Sequence, residues 1–251
     1  MNNTKIEWAS ATWNPVTGCE HGCEYCYARS IAHRFAMKDT KVAESVVGFV
    51  LDEKFKGAGG KTEPFPFGFT PTFHRYRLND PQNTKKPQTI FVCSMADLFG
   101  AWVPDEWIAM VFAACLRAPK HRYLFLTKNP KRYVELYAKG ILLVRDNFWY
   151  GSTSTGPDVP FYYSRMPGDN PHTFVSIEPI LKPFGDIEAF PEWAIIGAET
   201  GNRRGKVTPE KEWVDTIVKQ ARKRGVPVFM KDSLLPVMGE ENMLREFPWN
   251  R

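Results

Sequence analysis

The sequence has no long apolar run and few cysteines, and each shortage excludes a class of protein. No apolar segment approaches the roughly 20 residues that a membrane-spanning helix needs. The first residues, MNNTKIEWAS, lack the basic and then apolar layout of a secretory signal peptide, so the sequence predicts a cytoplasmic protein without a membrane segment. With only five cysteines among 251 residues, a disulfide framework is not expected in that reducing compartment.

The composition is that of an ordinary globular protein with a mild basic surplus. Hydrophobic residues make up 43% and charged residues 24% of the chain, which is typical of enzymes of this size. The formal net charge is +5. A surplus of this size permits a polyanionic partner but does not require one, because many basic proteins bind no nucleic acid.

Short apolar segments alternate with longer segments of helical pattern, which is the arrangement of β/α units around a parallel sheet. The expected strands cover residues 12–16, 89–94, 122–127, 148–152, 173–177, 193–197 and 226–230. The expected helices include residues 25–37, 105–117, 130–139 and 209–224. The sequence therefore predicts a single α/β domain over residues 1–251, a partial or complete (β/α) barrel of about six to seven parallel strands.

One segment departs from this alternation. Residues 38–88 follow the first expected helix and are rich in glycine, proline, lysine and phenylalanine. An irregular segment of this length is either functional or disordered, and its many phenylalanines are unusual for a disordered one. We expect an irregular insertion that covers the active-site face.

Three of the five cysteines lie within eight residues, in the stretch GCEHGCEYCYA. Cys19, Cys23 and Cys26 follow the first expected strand and precede the first expected helix. A structural zinc site normally takes four ligands, and His21 would be an awkward fourth ligand because it lies between two of the others. A [4Fe–4S] cluster held by three thiolates keeps one iron open to a further ligand. The spacing favours such a cluster, with a zinc-stapled, non-catalytic nucleic-acid-binding module as the alternative of another class.

The remaining cysteines and two histidines are expected to have no chemical role. Cys93 and Cys115 fall in apolar segments, where a free cysteine packs as a small hydrophobic residue. His121 and His172 precede expected strands and are assigned to the surface. No acid–base constellation is visible among the five histidines of the chain.

The pattern C-x3-C-x2-C, with Tyr25 directly before the last cysteine, resembles the signature of the radical S-adenosylmethionine (SAM) superfamily. Other segments resemble, in order and spacing, a phage-associated three-cysteine-motif family that is distantly similar to spore photoproduct lyase; they are WNPVTGCEHGCEYCYA, FVCSMADLFG, LFLTKNPKR, VSIEPIL, WAIIGAETG and VPVFMKD. The resemblance extends from Ile6 to about Asp232. It implies a (β/α) barrel with a [4Fe–4S] cluster and SAM as cofactors, and a reductase or flavodoxin-type protein as electron donor. The implied reaction is reductive cleavage of SAM to a 5′-deoxyadenosyl radical, which abstracts hydrogen from the substrate.

Cofactor residues are expected at the carboxyl ends of the strands, where chemistry gathers in parallel barrels. The candidates for binding SAM or bordering the cluster are Tyr25, Ser94, Asp97, Lys128, Ser152, Glu178, Gly197 and Glu199. Ser94 and Asp97 are assigned to the SAM amino group and Lys128 to its carboxylate. The superfamily's usual Gly-Gly-Glu after the second strand is replaced here by SMADLFG.

The remaining candidates are assigned to the nucleoside part of SAM. Ser152 and Glu178 are expected at the ribose. The segment 195–199 is expected along the adenine, where Gly197 would allow a close approach of the backbone. No catalytic residue is identified, although Tyr27, which borders the cluster motif, is a candidate hydrogen donor.

Basic residues in two of the strand-end loops indicate the substrate class. The candidates for substrate contact are Lys131, Arg132, Arg203, Arg204 and Lys206. A positive rim on the catalytic face favours a phosphate-bearing substrate. Together with the phage-family resemblance, this predicts modification or rearrangement of a base in phage DNA within the host cytoplasm. A peptide or a small metabolite is the alternative substrate.

Overall fold

The computed structural model describes residues 2–35, 48–57, 59–159 and 170–250, with only the backbone of Asn2 and Asn3. The chain divides into two compact units, Met1–Leu143 and Val144–Arg251. The elements of the first unit are β1 (Asn2–Asn3), β2 (Ala11–Trp13), β3 (Val16–Thr17), α1 (Tyr27–Arg34), β4 (Phe49–Leu51), β5 (Thr72–His74), α2 (Asp80–Asn83), β6 (Thr89–Val92), α3 (Asp105–Leu116), β7 (Arg122–Thr127) and α4 (Lys131–Ala138). The elements of the second unit are β8 (Phe148–Thr153), β9 (His172–Ile177), β10 (Trp193–Ile196), α5 (Lys211–Lys223), β11 (Val228–Met230) and α6 (Leu235–Met238).

The first unit contains a sheet in which β2, β6 and β7 are parallel and β1 adds antiparallel to β2. The strands are apolar and almost wholly buried, as parallel strands covered on both faces are. Behind them lies an aromatic core in which the ring of Phe99 meets that of Tyr133 edge-on at 4.6 Å, and Phe112 meets Phe125 at 5.3 Å. These edge-to-face contacts are the arrangement that aromatic quadrupoles favour.

A second, three-stranded sheet in the first unit has the order β3-β5-β4. Its central strand buries Phe73, whose ring stacks on Trp107 of α3 at 5.2 Å. β4, β5 and α2 belong to the segment 38–88, so that segment is more regular than its composition predicts. Strands of three residues are too short to give a period in the sequence. Residues 38–47 and 58 of the segment lie outside the described residues, and its function as a cover stays a prediction.

The second unit is built on four parallel strands in the order β8-β9-β10-β11. The apolar face of α5 packs in the same hydrophobic cluster as β9, β10 and β11, through Val214, Ile217 and Ala221. Trp193 of β10 also contacts Phe247 and Trp249 near the carboxyl terminus, with ring centroids 5.7 and 5.1 Å apart. The strands of this unit therefore pack against α5 and against residues 247–249.

The α/β class and the expected number of parallel strands are confirmed. Among the described residues the first unit has three parallel strands and the second has four. The first expected strand is divided in two at Asn14–Pro15, because the proline has no N–H to donate to a neighbouring strand. The barrel and the single domain over residues 1–251 stay predictions. Within the described ranges, no helix has the length and hydropathy to cross a membrane.

The assignment of His121 to the surface is wrong, whereas Cys93 and Cys115 are buried as expected. The His121 Nδ1 atom accepts a hydrogen bond from the Gln88 N–H at 3.1 Å, so its Nε2 carries the hydrogen that reaches the Pro81 carbonyl at 2.8 Å. Burial lowers the pKa of His121 and favours this neutral form. Pro81, which accepts the hydrogen bond from Nε2, belongs to α2 and lies 40 positions earlier, so the residues next to His121 did not indicate it.

Candidate cluster and cofactor site

The loop that carries the three cysteines is fixed at both ends by backbone hydrogen bonds. The Gly18 N–H donates to the Met95 carbonyl at 2.9 Å, and the Cys19 N–H donates to the Phe69 carbonyl at 3.2 Å. At the other end Cys26 is the N-cap of α1, and its sulfur accepts from the Arg29 N–H at 3.4 Å. The loop is therefore held by α1, which follows it directly, and by two distant parts of the first unit, the segment around Phe69 and the chain that follows β6.

The three thiols are free and partly exposed. Burial raises the pKa of Cys19 to about 12, against a backbone hydrogen bond near His21 that lowers it. Negative charge on Asp97, Cys23 and Cys26 raises the pKa of Cys19 further. A bound cationic centre would supply the positive charge that three thiolates need.

Among the residues that the structure describes, no three His, Cys, Asp or Glu side chains converge as ligands of one metal ion. A four-iron cluster makes a different demand, because each thiolate binds a separate iron and the sulfurs need not meet at one point. Soft thiolates are the ligands that iron–sulfur clusters take. The donor set of Cys19, Cys23 and Cys26 therefore fits a [4Fe–4S] cluster in its chemistry.

Asp97 lies at the centre of a hydrogen-bond network next to the cysteine loop. Its buried carboxylate accepts from the His21 Nε2 at 2.7 Å and from the backbone N–H of Lys128 at 2.9 Å, both at Oδ2. Its Oδ1 accepts from the Phe99 N–H at 3.0 Å. The sequence placed Asp97 at the SAM amino group, whereas in the structure its oxygens contact groups of the protein.

Four further candidate residues lie at the loop as two pairs, Tyr25 with Lys128 and Tyr27 with Ser94. The Lys128 ammonium lies 5.7 Å from the ring centroid of Tyr25, within cation–π distance. The Tyr27 hydroxyl, half-exposed, donates to the Ser94 carbonyl at 3.0 Å. Sequence reasoning missed Asn14, whose side-chain oxygen accepts from both the Ser94 hydroxyl at 3.2 Å and the Met95 N–H at 3.0 Å.

A cleft of about 360 Å³ opens beside Cys19. This volume falls within the range of small-molecule sites. One side of the cleft carries Arg29 and His33 of α1, and the other is formed by residues 67–71. The Arg29 guanidinium lies 5.7 Å from the ring centroid of Phe69, so a cationic and an aromatic surface meet there. None of these cleft residues was selected from the sequence, because α1 and residues 67–71 meet only in the fold.

In the second unit, Glu178 and Gly197 come together at the ends of β9 and β10. Glu178 is ion-paired with Lys231, and the Ser233 hydroxyl accepts from the Ala198 N–H at 3.0 Å. A Cβ at Gly197 would lie 3.2 Å from Lys231 and Ser233 and 3.3 Å from Glu178. Gly197 thus makes room for these side chains at the strand ends. Ser152, the other predicted ribose contact, is fully buried in β8.

Glu199, a predicted cofactor residue, and Arg203, a predicted substrate contact, form an ion pair with each other. The buried Glu199 carboxylate accepts from Arg203 Nε at 2.7 Å and Nη2 at 2.9 Å, and from the Val207 N–H at 3.2 Å. The hydrogen bonds from Arg203 hold the pKa of Glu199 below its usual range. This pair closes the loop after β10 and leaves Arg204 and Lys206 exposed.

Lys131 and Arg132, the two predicted substrate cations of the first unit, also differ in their surroundings. The Arg132 side chain is 14% exposed, donates to Asp105 at 2.5 Å and to the Val103 carbonyl at 3.2 Å, and so links α4 to the start of α3. Lys131 is exposed at the first position of α4. Of these two cations, Lys131 is the more accessible to an anion.

The chain matches the family described as "Protein of unknown function (DUF5131)" over residues 3–235 and belongs to that family. No curated protein and no solved structure matches the chain significantly.

Proposed function

We propose that this protein is a radical SAM enzyme whose [4Fe–4S] cluster is held by Cys19, Cys23 and Cys26. The observation that carries the proposal is three free, partly exposed thiols on one anchored loop, which follows β2 and β3 and precedes α1. A cleft of small-molecule size beside Cys19 adds support. The superfamily's partial or complete (β/α) barrel is part of the proposal, and the seven parallel strands agree with it in number.

When bound, the cluster supplies the electron that cleaves SAM reductively. The residues of the chain hold and orient the reactants and limit the access of water to them. In the proposal, Lys128 balances the SAM carboxylate from its place above Tyr25. Glu178 and Gly197 keep the assignments to ribose and adenine that their positions at the ends of β9 and β10 suggest.

The proposed substrate is a base in phage DNA, which the enzyme modifies or rearranges. Support comes from Lys131, Arg204 and Lys206, which are exposed in strand-end segments and carry cations suited to phosphate. Arg132 and Arg203 give less support, because each is paired with a carboxylate of the protein. A flavodoxin-type protein or a reductase is the proposed electron donor, and the host cytoplasm is the proposed compartment.

The test is anaerobic reconstitution with iron and sulfide, followed by incubation with SAM and a reductant, with and without DNA. The wild type should bind about four irons and form 5′-deoxyadenosine. DNA containing modified bases should increase that product, whereas a peptide or metabolite mixture should not.

Cys23→Ala should lose both the visible absorbance of the cluster and the product. The matched control is Cys115→Ala, which removes a thiol buried in α3 and should keep both. A wild type that binds zinc tightly but no iron–sulfur cluster would contradict the proposal and favour the non-catalytic alternative.

A further inference from the structure

We infer that Asp97 is a positioning residue that sets the cysteine loop, acting on His21 by a hydrogen bond and on Tyr25 by way of Lys128. The inference rests on the proposed function, because it concerns how the loop is prepared for a cluster. It changes the interpretation of Asp97, which the sequence assigned to SAM itself.

The first step is that the Asp97 carboxylate is committed to the protein. Its side chain is 7% exposed, and three donors reach its two oxygens. Because backbone N–H groups of Phe99 and Lys128 can only donate, the carboxylate acts here as an acceptor, and the His21 Nε2 therefore carries the hydrogen. A buried carboxylate with several donors is held rigidly, since losing any one of them would leave a polar group unsatisfied.

The second step is the place of His21 in the loop. It lies between Cys19 and Cys23, so fixing its side chain restricts the backbone on the way from one thiol to the next. Its ring also meets the ring of Trp102 edge-on, with centroids 4.8 Å apart. The imidazole is thereby held by a hydrogen bond at one edge and by an aromatic contact on another side.

The third step is that the same carboxylate oxygen binds a second residue, Lys128, whose side chain lies against the loop. Asp97 Oδ2 accepts from the backbone N–H of Lys128, and the Lys128 ammonium lies 5.7 Å from the ring centroid of Tyr25. Tyr25 directly precedes Cys26. Asp97 is thus linked to the loop on both sides of Cys23, directly at His21 and through Lys128 at Tyr25. Groups that orient metal ligands in this way commonly alter affinity and electronic properties when they are changed.

The first experiment uses the protein without a cluster and measures amide hydrogen exchange over residues 18–26. His21→Phe keeps an aromatic ring against Trp102 but cannot donate to Asp97, whereas His21→Gln keeps a donor. His21→Phe should speed exchange in the loop by about tenfold, the loss expected for one hydrogen bond to a charged acceptor. His21→Gln should restore most of the protection. Equal exchange in the wild type and His21→Phe would overturn the inference.

The second experiment examines the reconstituted proteins by electron paramagnetic resonance, with and without SAM. His21→Phe should take up less iron and give a changed spectrum on SAM addition, and His21→Gln should resemble the wild type. Identical iron content and spectra in all three proteins would refute the positioning role. If the wild type binds no cluster at all, the proposed function fails, while the exchange experiment still decides whether Asp97 and His21 order the loop.

Discussion

Replacing Gly18 by alanine should disturb the cysteine loop more than any other small change within it. Gly18 has φ +88°, in the region that favours glycine, and its Cα faces the backbone of the cleft wall. An added Cβ would lie 2.3 Å from the Thr70 carbonyl oxygen and 2.7 Å from the Phe69 carbonyl oxygen. Phe69 is the residue whose carbonyl binds the Cys19 N–H, so relief of the overlap would displace a proposed cluster ligand.

The expected cost has two parts. A non-glycine residue in the left-handed region costs about 1–2 kcal/mol. Forcing the neighbouring backbone apart adds about 1–3 kcal/mol, the cost typical of overpacked sites. Gly18→Ala should therefore lower the free energy of unfolding by about 2–5 kcal/mol. Chemical denaturation of the cluster-free protein measures the loss, and iron uptake on reconstitution should fall with it.

Gly22 provides a matched control in the same loop. Its φ is +71°, yet a Cβ there would meet no atom within 4 Å. Gly22→Ala should cost only the backbone strain of about 1–2 kcal/mol and leave iron uptake near that of the wild type. Equal losses of stability in the two variants would refute the claim that contact with Thr70, and not glycine conformation alone, places Cys19.

Two further predictions concern the loop after β10. Glu199→Gln should lower stability by about 1–2 kcal/mol at neutral pH, because the hydrogen bonds from the partly exposed Arg203 weaken. The pKa of Glu199 is held below its usual 4.5, so this stability is present above pH 4.5 and is lost as the pH falls through the folded-state pKa. In stronger acid the wild type and Glu199→Gln should therefore have similar stability. A difference in stability that persists unchanged there would contradict the prediction. Replacing Arg204 and Lys206 together by alanine should reduce the salt dependence of DNA binding, by up to about two phosphate contacts. Lys219 and Lys223, exposed on α5, give a control pair of equal charge, and an equal effect of both pairs on the salt slope would argue against a DNA contact by the loop.

The elements that the sequence predicted best are those whose pattern is continuous and whose ends are abrupt. β7 is a run of six residues bounded by polar residues, and its observed limits, Arg122–Thr127, are the predicted ones. The prediction of one continuous first strand was wrong in its middle, where Asn14 and Pro15 interrupt the hydrogen bonding between strands. Asn14 instead binds Ser94 and Met95 through its side chain, 80 and 81 positions away, which no local pattern encodes.

The basic residues of the candidate site also show that the sequence alone does not reveal which side chains are paired and which are exposed. Arg203 and Arg204 are identical in type and adjacent, yet one is paired with buried Glu199 and the other is exposed. For Arg203 the partner lies four residues earlier and could have been anticipated from the spacing of Glu199. For Arg132 the partner is Asp105, 27 residues earlier, and only the packing of α4 against the start of α3 reveals it.

The cysteine motif is a short stretch of sequence, but the contacts that hold its loop in place come from elsewhere in the chain. The three cysteines lie within eight residues, so the sequence alone is enough to propose them as cluster ligands. Their placement depends on the Met95 carbonyl, the Phe69 carbonyl and the Asp97 carboxylate, all of which come from later in the chain. A peptide that contains only the motif lacks these three hydrogen-bond acceptors. In such a peptide only the bound cluster could order the thiols. In the folded protein these acceptors already order much of the loop, which would lower the entropic cost of binding the proposed cluster.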